Sequence, residues 1–219
     1  MTHDDLKQRH RQEREAQPIN LRLRIHRALS WLKHAELAND LDGRFIFLWI
    51  AFNAAYAFEI DESSRLSEQA TFKGFLEMLC GLDKAKRIDA LVWKEFSGSI
   101  RLLLDNPYVF QSFWDFQCGK MSEAEWKERF AKGKKSAQLA LASGNTPALL
   151  GVIFNRIYTL RNQIIHGGAT CGGTVNREQL RDCVNFLGKL VPLIIEEMMG
   201  NPDTLWGDAC YPVIADGSA

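Results

Sequence analysis

Apolar positions recur at helical spacing along nearly the whole chain, and no stretch alternates as a half-buried strand does. Pro18 and Asn20 open a first long helix that the pattern carries to Ala38, with Leu23, Leu29, Trp31, Leu32 and Ala35 among its apolar positions. Asn39–Gly43 has turn chemistry. A second helix, about Arg44–Glu59, is apolar almost all round (Phe45, Phe47, Leu48, Trp49, Ile50, Phe52, Tyr56), as expected at the centre of a bundle or in a dimer interface. A Ser-rich connection at Asp61–Ser67 leads to a helix ending near Cys80 and Gly81, and Asp83 is placed to cap another helix to about Leu104. Asn106-Pro107 breaks the pattern before an aromatic stretch, Tyr108 to Phe116, which reads as packing. Ser122-x-x-Glu125 is a capping box, and the basic run Lys132–Lys135 on the helix it starts reads as a solvated face. Thr146, followed by Pro147, starts a helix that reaches His166 and stops at Gly167-Gly168. After a Gly-rich loop, Asn176 opens the last helix, to Met199, with Pro192 a place to bend. The predicted fold class is all-α: an antiparallel helical bundle.

Composition narrows the function. A chain of 219 residues with 46% hydrophobic and 25% charged residues supports an ordinary core, which excludes a disordered, collagen-like or disulfide-stapled chain. A formal net charge of +0 argues against coating nucleic acid through a broad positive field, and leaves room for a local basic groove. The five cysteines include no C-x-x-C pair and read as reduced thiols, which points to the cytoplasm. Met1–Gln17 lacks the apolar core of a secretory signal, and no run is long enough to span a membrane. The expected organisation is a charged N-terminal arm at 1–17, a helical domain at 18–199 with helices inserted at about 84–142, and an irregular tail at 200–219.

The helix from Thr146 to Gly168 carries the chemistry. Leu149, Ile153, Ile157, Leu160 and Ile164 form a core stripe. The opposite side holds Asn155, Tyr158, Thr159, Asn162 and His166, flanked by Arg156 and Arg161, where a solvated helix would show simple charges. Asn162 and His166 lie one turn apart, whereas Arg161 points about 140° away from His166 at ideal helical geometry. Within the second helix, Asn53 reads as a satisfied structural amide, with orientation of site groups as the other reading.

The string Arg161-Asn162-Gln163-Ile164-Ile165-His166 resembles the Arg-x(4–6)-His motif of the HEPN superfamily, in which a polar residue commonly follows the arginine. Phe47 to Tyr56 is similar to the second helix of several bacterial HEPN groups. The likeness spans roughly residues 20–195. A second spacing match, Arg27 to His34, lies in an amphipathic helix with Ala28 after the arginine, and reads as a solvated pair. The resemblance implies a HEPN-type bundle with extra helices, a two-fold dimer, and metal-independent endoribonuclease activity in a toxin or antiviral effector, with an antitoxin protein as a possible partner. By that likeness Arg161 and His166 are the catalytic pair and Asn162 assists them.

Such a site suits RNA transesterification. Histidine titrates near neutral pH and moves protons, and the arginine fork neutralises charge on phosphate oxygens. It calls for no cofactor, and the sequence shows no metal-ligand spacing. Arg156, Arg22, Arg24 and Arg27, with Lys33, and Arg177 with Arg181, are candidates to guide the RNA backbone; ordinary solubilising roles fit them as well. Two other readings stay open: a non-catalytic helical module that binds RNA or protein, and a structural dimerisation protein in which His166 is an ordinary helix-terminal residue favoured by the helix dipole.

Overall fold

A computed structural model describes residues 2–56, 65–204, 206–207 and 209, with side chains left aside at 65–71. The described residues form helices joined by short turns, with no strand among them, and none of these helices is long and apolar enough to cross a membrane.

The charged N-terminal arm holds a docked helix, α1 (His3–Glu13). Thr2 and Asp5 form a reciprocal capping box, and Leu6 is fully buried, which gives this charged helix one apolar anchor. α1 lies against α2 (Ile19–Leu37) and the last helix, α10 (Arg177–Gly200).

α2 and α3 (Leu41–Tyr56) pack along their lengths, and α10 lies across both. Ile25, Leu29, Leu32, Phe45, Leu48, Phe52, Leu187, Val191 and Ile195 close this core. α3 is apolar on nearly every side because it sits between α2 and α10 on one flank and touches α9 on another. The predicted Asp61–Ser67 connection falls largely outside the described residues. α4 (Arg65–Leu82) ends where the sequence pattern ends.

Beyond α4 the single predicted helix to Leu104 is broken. Lys86, in a left-handed backbone (φ 56°), is the N-cap rather than Asp83, whose carboxylate instead accepts from the Ile88 amide at 2.7 Å. α5 (Arg87–Ala90), a π turn at Leu91–Glu95 and α6 (Ser97–Asp105) follow. Arg87 forks onto Glu196 (2.5 Å) and Glu197 (2.6 Å), tying α5 to α10.

α7 (Gln111–Gln117) and α8 (Glu123–Ala142) form an aromatic hairpin. Phe110 meets Phe130, and Phe113 and Phe116 meet Trp126, so the aromatic stretch packs as expected. Ser122 and Glu125 make the predicted capping box, and Lys132 and Lys134 face solvent in pairs with Glu128 and Asp105. α8 rests on α9 (Thr146–Ile165). In the C-terminal segment Trp206 is buried, its indole donating to the Asn201 carbonyl at 2.9 Å.

Candidate nucleic-acid site

Asn145, not Thr146, caps α9, its side chain accepting from the Ala148 amide at 2.9 Å. Thr146 is drawn inward instead, donating to Asp89 at 2.5 Å and accepting from the Trp93 indole at 2.7 Å. The other end stops as the Gly-Gly pair requires. Gly167 has φ +70°, and a Cβ at Gly168 would press to 3.2 Å from the Gln163 carbonyl oxygen. His166 is the C-cap residue and is exposed.

The accessible side of α9 carries Asn155, Tyr158, Asn162 and His166, with Arg161 half-buried beside them. Thr159, expected on that side, is buried and donates to the Asn155 carbonyl at 3.2 Å. Arg161 donates from Nη1 to Asn162 Oδ1 at 2.9 Å, and its guanidinium carbon lies 5.7 Å from the Tyr158 ring centre. Asn162 therefore holds the arginine, and its side chain makes no hydrogen bond to His166 among the described residues. The backbone carbonyl of Asn162 accepts from the His166 amide at 3.0 Å, the ordinary helical bond. One protomer thus places Arg161 and His166 at one end of one helix without joining them.

Two residues that the sequence reading passed over position this end. Gln163 donates to the Tyr108 carbonyl (2.6 Å) and accepts from Asn176 (3.2 Å), fastening α9 to the connections on either side. Asp42, at the start of α3, accepts from both arms of Arg177 (2.9 and 2.7 Å) and from the Gly172 amide (3.1 Å). The Arg177 hydrogen bonds hold the Asp42 carboxyl below its usual range. The Gly-rich loop is therefore anchored at both ends. Gln163 is a polar residue inside the Arg-x-His string, and Asp42 a lone acid on an apolar helix; those were their sequence signals.

The expected RNA-guiding arginines separate. Arg156 is corrected: it is 3% exposed, with its guanidinium 4.3 Å from Phe110 and 5.4 Å from Phe130, clamping the aromatic hairpin to α9. Burial lowers its pKa to about 10. Arg24 is corrected likewise. It is 1% exposed and donates to the carbonyls of Ala55 (2.5 Å) and Tyr56 (2.9 Å), at the C-terminus of α3, and to those of Trp206 and Gly207. These bonds tie α2 to the last described residues of α3 and to the C-terminal segment. Arg177 is committed to Asp42. Arg22 is half-buried beside Glu15 (3.3 Å), and Arg27 is half-buried on α2. His34, the partner of Arg27 in the second spacing match, is exposed, its ring 5.8 Å from that of Phe47.

Comparison with protein-family models, curated proteins and solved structures finds no match. The reading of the site therefore rests on its own chemistry.

Among the described residues, Asp40, Asp42 and Cys171 bring potential metal-ligating atoms within 4.8 Å of one another. Asp42 is already engaged by Arg177 and Gly172, and Asp40 caps α3 through the Gly43 amide at 2.7 Å. Their geometry serves the loop and the helix start.

Between α3 and α9 lies a cleft of about 460 Å³. Trp49, Phe52, Tyr56, Phe72, Phe154 and Tyr158 wall it, and Asn53, Asn155 and Arg161 are its polar groups. Asn53 departs from expectation: it is half-buried in this wall, and no hydrogen bond among the described residues occupies its side chain. Trp49 Nε1 and Arg161 Nε are buried without partners among the described residues.

Proposed function

We propose that the chain is a metal-independent endoribonuclease of HEPN type, acting as a two-fold dimer in the cytoplasm. The reading rests on one observation. Arg161 is held by Asn162 on the accessible side of α9, one turn before an exposed His166 at the helix end.

Each group has a role. The 2′-hydroxyl oxygen attacks the adjacent phosphorus, the P–O5′ bond breaks, and a 2′,3′-cyclic phosphate forms. A dimer that faces two α9 ends across one cleft supplies two imidazoles. One takes the 2′-hydroxyl proton and the other gives a proton to the departing 5′-oxygen. The two Arg161 forks neutralise charge growing on the phosphoryl oxygens. Asn162 keeps each fork oriented before substrate arrives. The wide angle between Arg161 and His166 around one helix favours a site completed by a second copy, and closed two-fold contacts are the commonest way to make one.

An RNA-cutting enzyme of this size fits a toxin or antiviral effector, restrained in the cell by an antitoxin protein. Incubation of RNA with the purified chain in EDTA, followed by analysis of the cleaved ends, tests the proposal. Cyclic-phosphate ends that vanish in Arg161→Ala and His166→Ala support it. Binding of RNA without turnover would favour the non-catalytic module, for which the lack of an Arg161–His166 contact within one protomer is the observation that speaks.

A further inference from the structure

The α3–α9 cleft has features that proton transfer and phosphate neutralisation do not use. Its walls are aromatic, and stacked pairs line them, such as Phe52 on Phe154 at 4.4 Å between ring centres. Its rim carries Tyr158, which is 51% exposed and lies 6.1 Å from Trp49. Two primary amides, Asn53 and Asn155, stand in it with no hydrogen bond among the described residues taking them up. Arg161 belongs both to the cleft and to the Arg-Asn-His end of α9.

A volume of about 460 Å³ is in the range of small-molecule sites. Packing alone explains Phe52 and Phe154, which are buried. It does not explain an exposed tyrosine beside two amides that make no side-chain hydrogen bond among the described residues. Flat aromatic faces with amide donors and acceptors suit a planar heteroaromatic ring that carries hydrogen-bonding edges. Unpaired nucleobases are recognised in this way, by stacking on aromatic rings and hydrogen bonding along their edges. A sugar would meet the rings only through its C–H face, and an acidic peptide would leave them unused.

We propose that this cleft takes one unpaired nucleobase of a single strand, stacked against Tyr158, with Asn53 and Asn155 bonding its edge. Arg161 then meets the adjoining phosphate, which sets the strand's register at the His166 end. The inference rests on the ribonuclease reading for the identity of the strand, and it adds selection for unpaired RNA. Base-paired RNA has no free base to offer and is excluded by shape.

The test uses the full chain and a labelled single-stranded oligonucleotide with 2′-O-methyl groups, which cannot be cut by 2′-hydroxyl attack. Affinity is read by fluorescence anisotropy for this strand, for the same strand annealed to its complement, and for an equal-length strand with abasic positions. Annealing and abasic substitution are each expected to weaken binding about ten-fold or more, as is Tyr158→Ala, in line with the usual loss per stacked base. Tyr158→Phe keeps the ring and binds as wild type, and Asn155→Ala binds several-fold more weakly. Equal affinity for the single strand, the duplex and the abasic strand, or wild-type binding by Tyr158→Ala, overturns the proposal. Cleavage is read separately on natural RNA. Base-dependent binding by a chain that never cuts would sink the ribonuclease reading and leave the base cleft standing; cutting with base-independent binding would do the reverse.

Discussion

Arg161 donates to Oδ1 of its chain neighbour Asn162 at 2.9 Å, and no hydrogen bond joins its guanidinium to His166 among the described residues. Asn162 is thus a positioning residue for the arginine. Asn162→Ala is expected to reduce RNA cleavage about ten-fold, the order of one lost oriented hydrogen bond, with a smaller change in RNA affinity. Steady-state kinetics at fixed ionic strength separate the two effects.

The same geometry predicts complementation between copies. Arg161→Ala and His166→Ala are each expected to be inactive alone. Unfolding and refolding them together forms mixed dimers that keep one Arg161 and one His166 around the cleft. The mixed cleft has one imidazole where the wild type has two, so weak activity above that of either parent treated alike is the expected outcome; none despite mixed-dimer formation counts against a shared cleft.

Arg24 and Arg156 show why inventories of basic residues mislead. Both sit on helices at positions where arginine suggests solvent, yet both are at most 3% exposed. Arg24→Ala removes the guanidinium bonds to the carbonyls of Ala55 and Tyr56 and is expected to cost about 2–3 kcal/mol in denaturant unfolding. Arg156 is buried among rings with no carboxylate beside it, so Arg156→Met is expected to change stability by less than about 1 kcal/mol, whereas Arg156→Ala opens a cavity. Neither substitution is expected to change RNA affinity once the protein is folded.

Two titrations act on stability in separate pH windows. His10 is 1% exposed between α1 and α2, and burial, with Lys7, His26 and Arg14 nearby, lowers its pKa from 6.5 to about 4. The unfolded chain then binds the proton that the folded chain refuses, so stability falls as pH drops from about 6.5 towards 4. Denaturant melts across that range are expected to show this slope, and His10→Leu to flatten it. The pKa of Asp42 is also lowered, but because the Arg177 hydrogen bonds favour its charged form. Its contribution is whole above the ordinary carboxylate range and is lost as pH falls below it. Wild type and Asp42→Asn therefore converge only in the more acidic window, and at pH 7 the variant is expected to be about 2 kcal/mol less stable.

Much of the fold is legible in the sequence because it is written in local signals. The ends of α2, the Ser122–Glu125 box and the Gly167-Gly168 stop need only neighbouring residues. The misread parts depend on distant partners. α1 reads only as a charged arm because it carries one good apolar anchor, Leu6, and it docks on the neighbouring α2 and on the distant α10. Thr146 looked like a cap until Asp89 and Trp93 claimed its hydroxyl. The Arg-Asn-His string was visible from spacing, but not the Arg161–Asn162 bond. The α3–α9 cleft was hidden because its residues come from three helices, and each aromatic alone reads as core.

The central claim is metal-free cleavage by the α9 end, and the direct measurement is end-group analysis of RNA treated in EDTA with wild type, Arg161→Ala and His166→Ala. The expected result is 2′,3′-cyclic phosphate ends from wild type and at least about a hundred-fold loss in each variant. Intact RNA with the wild type, or equal cleavage by all three proteins, would contradict it.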